Sequence, residues 1–193
     1  IDTLLFEGSG FPSDTPQLVF EMDEETESRI ITLKCTELVD LNDWTNTTPG
    51  FDVRLDFGSQ EIIMRIDANT DLFGTTAPIG VFGVTGIGGQ RDLNAPFVDG
   101  YMITPRGQFD LTEPVNADFI VNSPWDGNSG PLEIFNLSTG ADDYLWNMGD
   151  GTTYNDTTPT HSYTEAGTFV IYLTAFSENG DCSSQTSFEV VSN

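Results

Sequence analysis

The stretch Tyr144-Leu145-Trp146-Asn147-Met148-Gly149-Asp150-Gly151 decides the fold of the C-terminal part of the chain. Large apolar or aromatic residues recur at every second position, which is the period of a β-strand with one buried face. Gly149 and Gly151 permit positive φ, and the Asp150 side chain can bond to its own backbone, so the strand ends there in a turn. The sequence therefore predicts a strand that carries Trp146 in the core and a tight turn directly after it.

A second segment, Pro159-Thr160-His161-Ser162-Tyr163, follows this turn, and Gly167-Thr168-Phe169-Val170 comes after it. Together these stretches resemble the signature of the PKD domain, the immunoglobulin-like module named after polycystic kidney disease. Met148 and Phe169 replace the Phe and Tyr that the family usually carries, and both changes conserve volume. The resemblance implies a β-sandwich in which the motif residues have a structural role and tie the turn to the loop; these are Trp146, Gly149, Asp150, Gly151, His161 and Tyr163.

Strands also follow one another at regular spacing in the N-terminal half. Residues 51–57 alternate in polarity, turn at Gly58-Ser59 and return as residues 61–66, which predicts a hairpin. A capped turn or short helix is expected from Asp67 to Gly74, with Asn69 or Thr70 as N-cap. Five strands with a short helical piece between the third and fourth is the order of an OB-fold barrel.

The end of this region, Gly100-Tyr101-Met102-Ile103-Thr104-Pro105-Arg106, supports a second resemblance, to domains in which Asp follows such a run. It looks like the OB-like accessory domains of secreted and cell-surface proteins of gliding bacteria, with Met102 where Gln is usual. Such domains lie beside PKD units in long chains that are commonly exported through the type IX pathway. The resemblance implies an exported, extracellular or cell-surface protein, and it implies no catalytic residue.

The predicted organisation is all-β. Residues 1–28 form an extended lead segment that packs on the barrel, residues 29–113 form the OB-like β-barrel, and residues 114–193 form the immunoglobulin-like sandwich. The linker Glu113-Pro114-Val115-Asn116 is short, so we expect a fixed or narrowly variable angle between the domains. Because the chain begins with Ile1, we expect a processed product or part of a longer modular protein.

The net charge of −25 makes nucleic acid a poor candidate ligand, since phosphate backbones bind through Lys and Arg. All six basic residues lie within residues 1–113. No run of 18 apolar residues is present, so we expect no membrane insertion.

The two cysteines, Cys35 and Cys182, fall in different predicted domains. The favoured interpretation is two separate, mostly buried thiols. The alternative is a disulfide that joins the domains, which requires Cα atoms within about 7 Å of each other.

No constellation of residues indicates catalysis. His161 is the only histidine, and no Ser or Cys motif accompanies it. We therefore predict that the chain is not an enzyme and needs no cofactor. Acidic turns could supply oxygen ligands to Ca²⁺, although solvated acids are the default interpretation; these are Asp126, Asp142, Asp143, Asp150 and Asp181.

Two tryptophans, Trp44 and Trp125, lie in polar loops. They either pack on their own domains or form a surface for stacking on sugars or contacting a neighbour. Thr3 and Thr157 follow Asp residues, and this fits the pattern of O-glycan attachment in bacteria of the kind that the second resemblance implies.

These features favour a non-catalytic, extracellular structural or adhesive module pair of a larger exported protein or fibre. It would act as a spacer and contact other protein modules or copies of itself. The alternative is a carbohydrate-binding accessory region of a secreted hydrolase.

Overall fold

A computed structural model describes residues 15–91, 100–122 and 130–193, and the regular secondary structure of these residues is almost entirely β-strand. The N-terminal half contains β1 (Gln17–Val19), β2 (Ile30–Leu38), β3 (Gly50–Phe57), β4 (Gln60–Asp67), β5 (Phe82–Gln90) and β6 (Tyr101–Thr104). The C-terminal half contains β7 (Phe119–Val121), β8 (Leu132–Asn136), β9 (Asp143–Asn147), β10 (Thr153–Tyr154), β11 (Thr160–His161), β12 (Gly167–Phe176) and β13 (Ser183–Ser192). Short 3₁₀ helices occur at Glu24–Thr26, Leu41–Asp43 and Gln108–Asp110.

Five strands close into a barrel in the order β2-β3-β4-β6-β5, and β5 pairs back with β2. Strand β4 runs parallel to β6, and the other neighbours within the barrel are antiparallel. The predicted hairpin is confirmed, because Gly58 and Ser59 connect β3 to β4 in register. An all-β fold with an OB-like barrel followed by a sandwich is therefore confirmed.

The interior of the barrel is filled by apolar side chains from every barrel strand. Residues that alternate along β3 and β4 are buried in one continuous core; they are Phe51, Val53, Leu55, Phe57, Ile62, Met64 and Ile66. The lead segment contributes Val19 and Met22 to the same core, while β1 pairs parallel to β2. The described part of the lead segment thus packs on the barrel.

The segment between the third and fourth barrel strands consists of turns instead of a helix. Its capping residue is Asp67, not Asn69 or Thr70, since the Asp67 carboxylate accepts the Asn69 backbone N–H at 2.8 Å. The Thr70 hydroxyl instead donates to the Asp67 carbonyl.

The second half is a sandwich of two sheets, ordered β10-β9-β12-β13 and β11-β8-β7. Its core is separate from that of the barrel and is built around Trp146, which is fully buried. The indole makes an edge-to-face contact with Phe119 across the sandwich, with ring centroids 5.1 Å apart. The alternation read from the sequence places Trp146 and Met148 inside and leaves Leu145 on the outer face.

Replacing Trp146 with Ala should lower the free energy of unfolding by about 3–5 kcal/mol, because a large buried side chain is removed. The matched control is Leu145→Ala on the same strand, whose side chain is 41% exposed. It should change the free energy of unfolding by only about 0.5 kcal/mol. Urea denaturation of both variants measures the difference; equal losses would contradict the assigned faces of β9.

Candidate functional site

The turn after β9 follows from its two glycines. Gly149 and Gly151 both have positive φ, of 81° and 96°. A Cβ on Gly149 would stand 2.7 Å from the Val170 carbonyl oxygen, so that position has no room for a side chain. Asp150 Oδ1 accepts the Thr152 backbone N–H at 2.9 Å, which closes the turn.

His161 lies in β11 and is buried against this turn, with 6% of its surface exposed. Its Nε2 is 3.0 Å from Asp150 Oδ2, and its Nδ1 is 3.2 Å from the Tyr154 hydroxyl. Tyr163 packs edge-on against the imidazole and donates its hydroxyl to the Met148 carbonyl at 2.8 Å. Because both ring nitrogens are engaged and the ring is buried, the imidazole is not placed to exchange a proton with a substrate in solvent.

Trp146 joins the same arrangement by donating its indole N–H to the Asp156 carbonyl at 2.9 Å. The structure thus brings together all six motif residues that the sequence singled out. We call this set the clasp: Trp146, Gly149, Asp150, Gly151, His161 and Tyr163. Each of its side-chain contacts fastens the loop after β9 to the sandwich core.

Opposing effects act on the Asp150 carboxyl. Burial acts to raise its pKa, but hydrogen bonds from Thr152 and the interaction with His161 outweigh burial and hold the pKa below its usual range. The charged form of Asp150 is therefore the form that the clasp binds.

The junction between the two halves contains a disulfide between Cys35 and Cys182, whose Cα atoms are 5.2 Å apart. This corrects the prediction of two separate thiols. Cys35 can reach across because it lies in a β-bulge of β2 and adopts a positive φ of 59°. Lys34 adds an ion pair with Asp181 at 2.8 Å.

Backbone hydrogen bonds join the halves as well. Val115 and Val81 exchange two bonds, at 2.8 and 2.9 Å. Val115 was predicted to lie in a linker, yet its side chain is buried in the sandwich core. A Cβ on Gly80 would stand 2.3 Å from the Val115 carbonyl oxygen, so the close approach of the two segments requires glycine there. The junction is therefore closely packed.

A cleft of about 260 Å³ opens beside the disulfide and is lined by both halves. Its carboxylates belong to Glu113, Asp142, Glu178 and Asp181, and Lys34 already pairs with the last of these. Within residues 15–91, 100–122 and 130–193, no three His, Cys, Asp or Glu side chains are grouped to hold a metal ion.

Of the two alternatives that the sequence left open for Trp44, the structure shows packing on its own domain and not an exposed contact or sugar-stacking surface. Trp44 is buried in the barrel core, stacks edge-on against Phe51 and donates its indole N–H to the Thr75 carbonyl at 2.9 Å. Trp125, Asp126 and Thr3 lie outside the described residues. Thr157 is exposed, as an O-glycan site requires.

Sequence reasoning did not assign a role to the ion pair between Arg106 and Asp110. The buried Asp110 carboxylate accepts the Arg106 backbone N–H and both arms of its guanidinium, at 2.6 to 2.9 Å. Burial acts to raise the pKa of Asp110, but these bonds outweigh it and lower the pKa. The Pro-Arg run followed by Asp was the sequence signal for this contact, which links Arg106 after β6 to the 3₁₀ helix Gln108–Asp110.

Residues 131–190 match the family model of the PKD domain. A 37-residue segment is 51% identical to the collagenase ColA of Bacillus cereus; it covers 19% of this chain and 4% of the collagenase. The PKD1 domain of the Vibrio cholerae metalloprotease PrtV is 26% identical, with a TM-score of 0.36, over 41% of this chain and 96% of that domain. The PKD1 domain of Vibrio anguillarum Epp is 25% identical, with the same TM-score, over 41% of this chain and 93% of that domain.

The C-terminal sandwich, which contains the matched residues, is called the PKD module. The part of the chain that the structure describes contains no helix with the length and apolar character needed to cross a membrane.

The clasp should lose part of its stabilising effect in acid. The folded-state pKa of Asp150 is lowered, so its contribution to stability is complete above its unfolded pKa of about 3.9 and disappears as the pH falls through the folded value. Asp150→Asn should lower the free energy of unfolding by about 1 kcal/mol at neutral pH, with a difference that vanishes in strong acid. Urea denaturation between neutral pH and strong acid measures it.

Glu165→Gln is the control, because it removes the same charge from an exposed residue of the same module. A difference between wild type and Asp150→Asn that stays constant in strong acid would contradict the role of the ionised carboxylate.

Proposed function

We propose that the chain is a non-catalytic structural module pair of a larger exported surface protein or fibre. In this role the barrel and the PKD module form a stiff spacer that also makes protein–protein contacts. The observation that carries the proposal is the junction, where a disulfide, an ion pair and two backbone hydrogen bonds span the two modules.

The disulfide supports export, because such bonds persist in oxidising compartments and are rare in the cytosol. The 37-residue match to a bacterial collagenase also supports an exported protein. The excess of acidic residues also suits an exposed surface protein, because a large net charge opposes nonspecific association.

The stiffness follows from the number of connections and their positions. The disulfide and the Val81–Val115 bonds attach the PKD module to two neighbouring barrel strands, at Cys35 of β2 and at the residue before β5. These strands pair with each other at Thr36 and Phe82, so the connections lie side by side. The short linker already limits the angle between the modules, and the disulfide and the backbone bonds restrict rotation about it further.

Spin labels on unnatural amino acids at the exposed residues Asn69 and Thr164 test the spacer. The wild-type protein should give one narrow distance distribution, and Cys35→Ser/Cys182→Ser should give a wider one. A broad distribution in the oxidised wild type would contradict a fixed angle. Wild type in a thiol reductant serves as a second comparison if the variant folds poorly.

The contact surface of the proposed spacer is the edge of β13, with which only β12 pairs among the described residues. This strand has ten residues, pairs with β12 along its whole length and is the last strand of its sheet. It lacks the Lys and Pro residues that protect sheet edges, and its one charged residue is Glu189. Phe188, which contacts Phe119 on the core side, remains 45% exposed where the sheet ends.

The occupant we propose is a second copy of β13, added in antiparallel orientation. In the register centred on Ser187, each Gln185 stands opposite Glu189 of the second copy, so like charges do not meet. Both residues point to the same face, as cross-strand neighbours must. The rest of the surface repels a second copy, so association should strengthen as salt screens the charge.

Light scattering across protein concentration, at low and high salt, tests this contact. The wild type should form a dimer that strengthens with salt. Gln185→Glu should weaken it, because two pairs of like charges then face each other across the edge. Asn179→Glu adds the same charge in an exposed turn and is the control. A monomer under all conditions would contradict self-association.

The carbohydrate-binding alternative depends on Trp44 and Trp125 as stacking residues. Of its two stacking candidates, Trp44 is buried in the barrel. The other, Trp125, lies outside the described residues.

A further inference from the structure

We infer that the Cys35–Cys182 disulfide carries tension past both modules, so that a pulled chain keeps its barrel and sandwich folded. The inference rests on the proposed function, in which the chain transmits load within a larger protein. Its basis is the position of the bond, which joins residues 147 apart in sequence and encloses most of both cores in one covalent loop.

The covalent path for tension is short. Force applied at the two ends of the chain runs through the residues before Cys35, crosses the sulfur atoms and leaves through the residues after Cys182. Residues 36–181 lie inside the loop and outside this path. They include the strands β3 to β12, and therefore most of the residues that form the two cores.

The parts of the path next to the bond are already extended. On one side the path follows β2 from Ile30 to Cys35, and on the other it follows β13 from Ser183 to Ser192. A strand rises about 3.2–3.4 Å per residue, close to the limit of about 3.3–3.6 Å for a fully stretched chain. Pulling on these strands therefore gains almost no length.

Strand β13 is loaded in a favourable direction as well. The bond holds the residue just before its first residue, and force enters at its last residue, so tension runs along the strand. Strand β12 lies inside the loop and is not pulled, so the ten pairs of β13 with β12 are not opened one after another from one end. The strand can thus carry tension while it remains in its sheet.

Without the disulfide the path changes completely. Tension would enter the barrel through β2, cross the junction through residues 111–116 and pass through the PKD module to β13. The Lys34–Asp181 ion pair and the two Val81–Val115 hydrogen bonds would then hold the junction without the covalent bond. The modules would unfold under load and release their length.

Single-molecule stretching between handles at the two chain ends tests the inference. Oxidised wild type, wild type in dithiothreitol and Cys35→Ser/Cys182→Ser are compared. The two forms without the bond should lengthen by about 500 Å more than the oxidised form, from 147 residues of about 3.3–3.6 Å each. They should do so in module-sized steps that the oxidised wild type lacks.

An oxidised wild type with the same steps and final length as the variant would overturn the inference. Reduced wild type provides the comparison if the variant does not fold. This outcome is distinguishable from failure of the spacer, because the spin-label distances measure orientation without load. A narrow distance distribution together with full extension would reject the tension path alone.

Discussion

The disulfide between Cys35 and Cys182 is the constraint on which the arrangement of the two modules depends. The barrel and the PKD module each have their own core, and neither core dictates how the other is oriented. Orientation is set at the junction, where the bulge in β2 turns Cys35 outward and Val115 joins the barrel by its backbone and the sandwich by its side chain. The bond therefore turns two independently packed modules into one mechanical unit.

Charge explains why a covalent junction suits this chain. Five of the six basic residues contact a carboxylate within the molecule, so they neutralise only a few of its 31 acids; these are Lys34, Arg54, Arg65, Arg91 and Arg106. Several carboxylates line the cleft at the junction, where they repel one another. Screening by salt changes that repulsion. The covalent bond and the backbone bonds hold the modules together regardless of ionic strength.

Alternation and turn residues within short segments predicted the strands and hairpins well. They did not predict the contacts between segments that are far apart in the sequence. The hairpin of β3 and β4 and the burial of Trp146 follow from alternation, because each strand has one apolar face. The polar neighbours of Trp44 left two alternatives open; the residue follows a 3₁₀ turn at Leu41–Asp43, and its indole is buried in the barrel and bonded to the Thr75 carbonyl. The Cys35–Cys182 pairing depends on the orientation of two modules, and no local pattern in either segment encodes that orientation.

The clasp residues, which identify the PKD module, have a structural role within it. Both ring nitrogens of His161 and the carboxylate of Asp150 are hydrogen-bonded inside the PKD module. These polar groups therefore stabilise the turn on the sandwich core. Strand β13 differs, because it begins next to Cys182 and also ends its sheet. A partner bound at that edge would pull on a strand that is covalently anchored to the barrel. The proposed contact surface and the proposed tension path therefore meet in one strand, so load would pass between them without crossing the sandwich core.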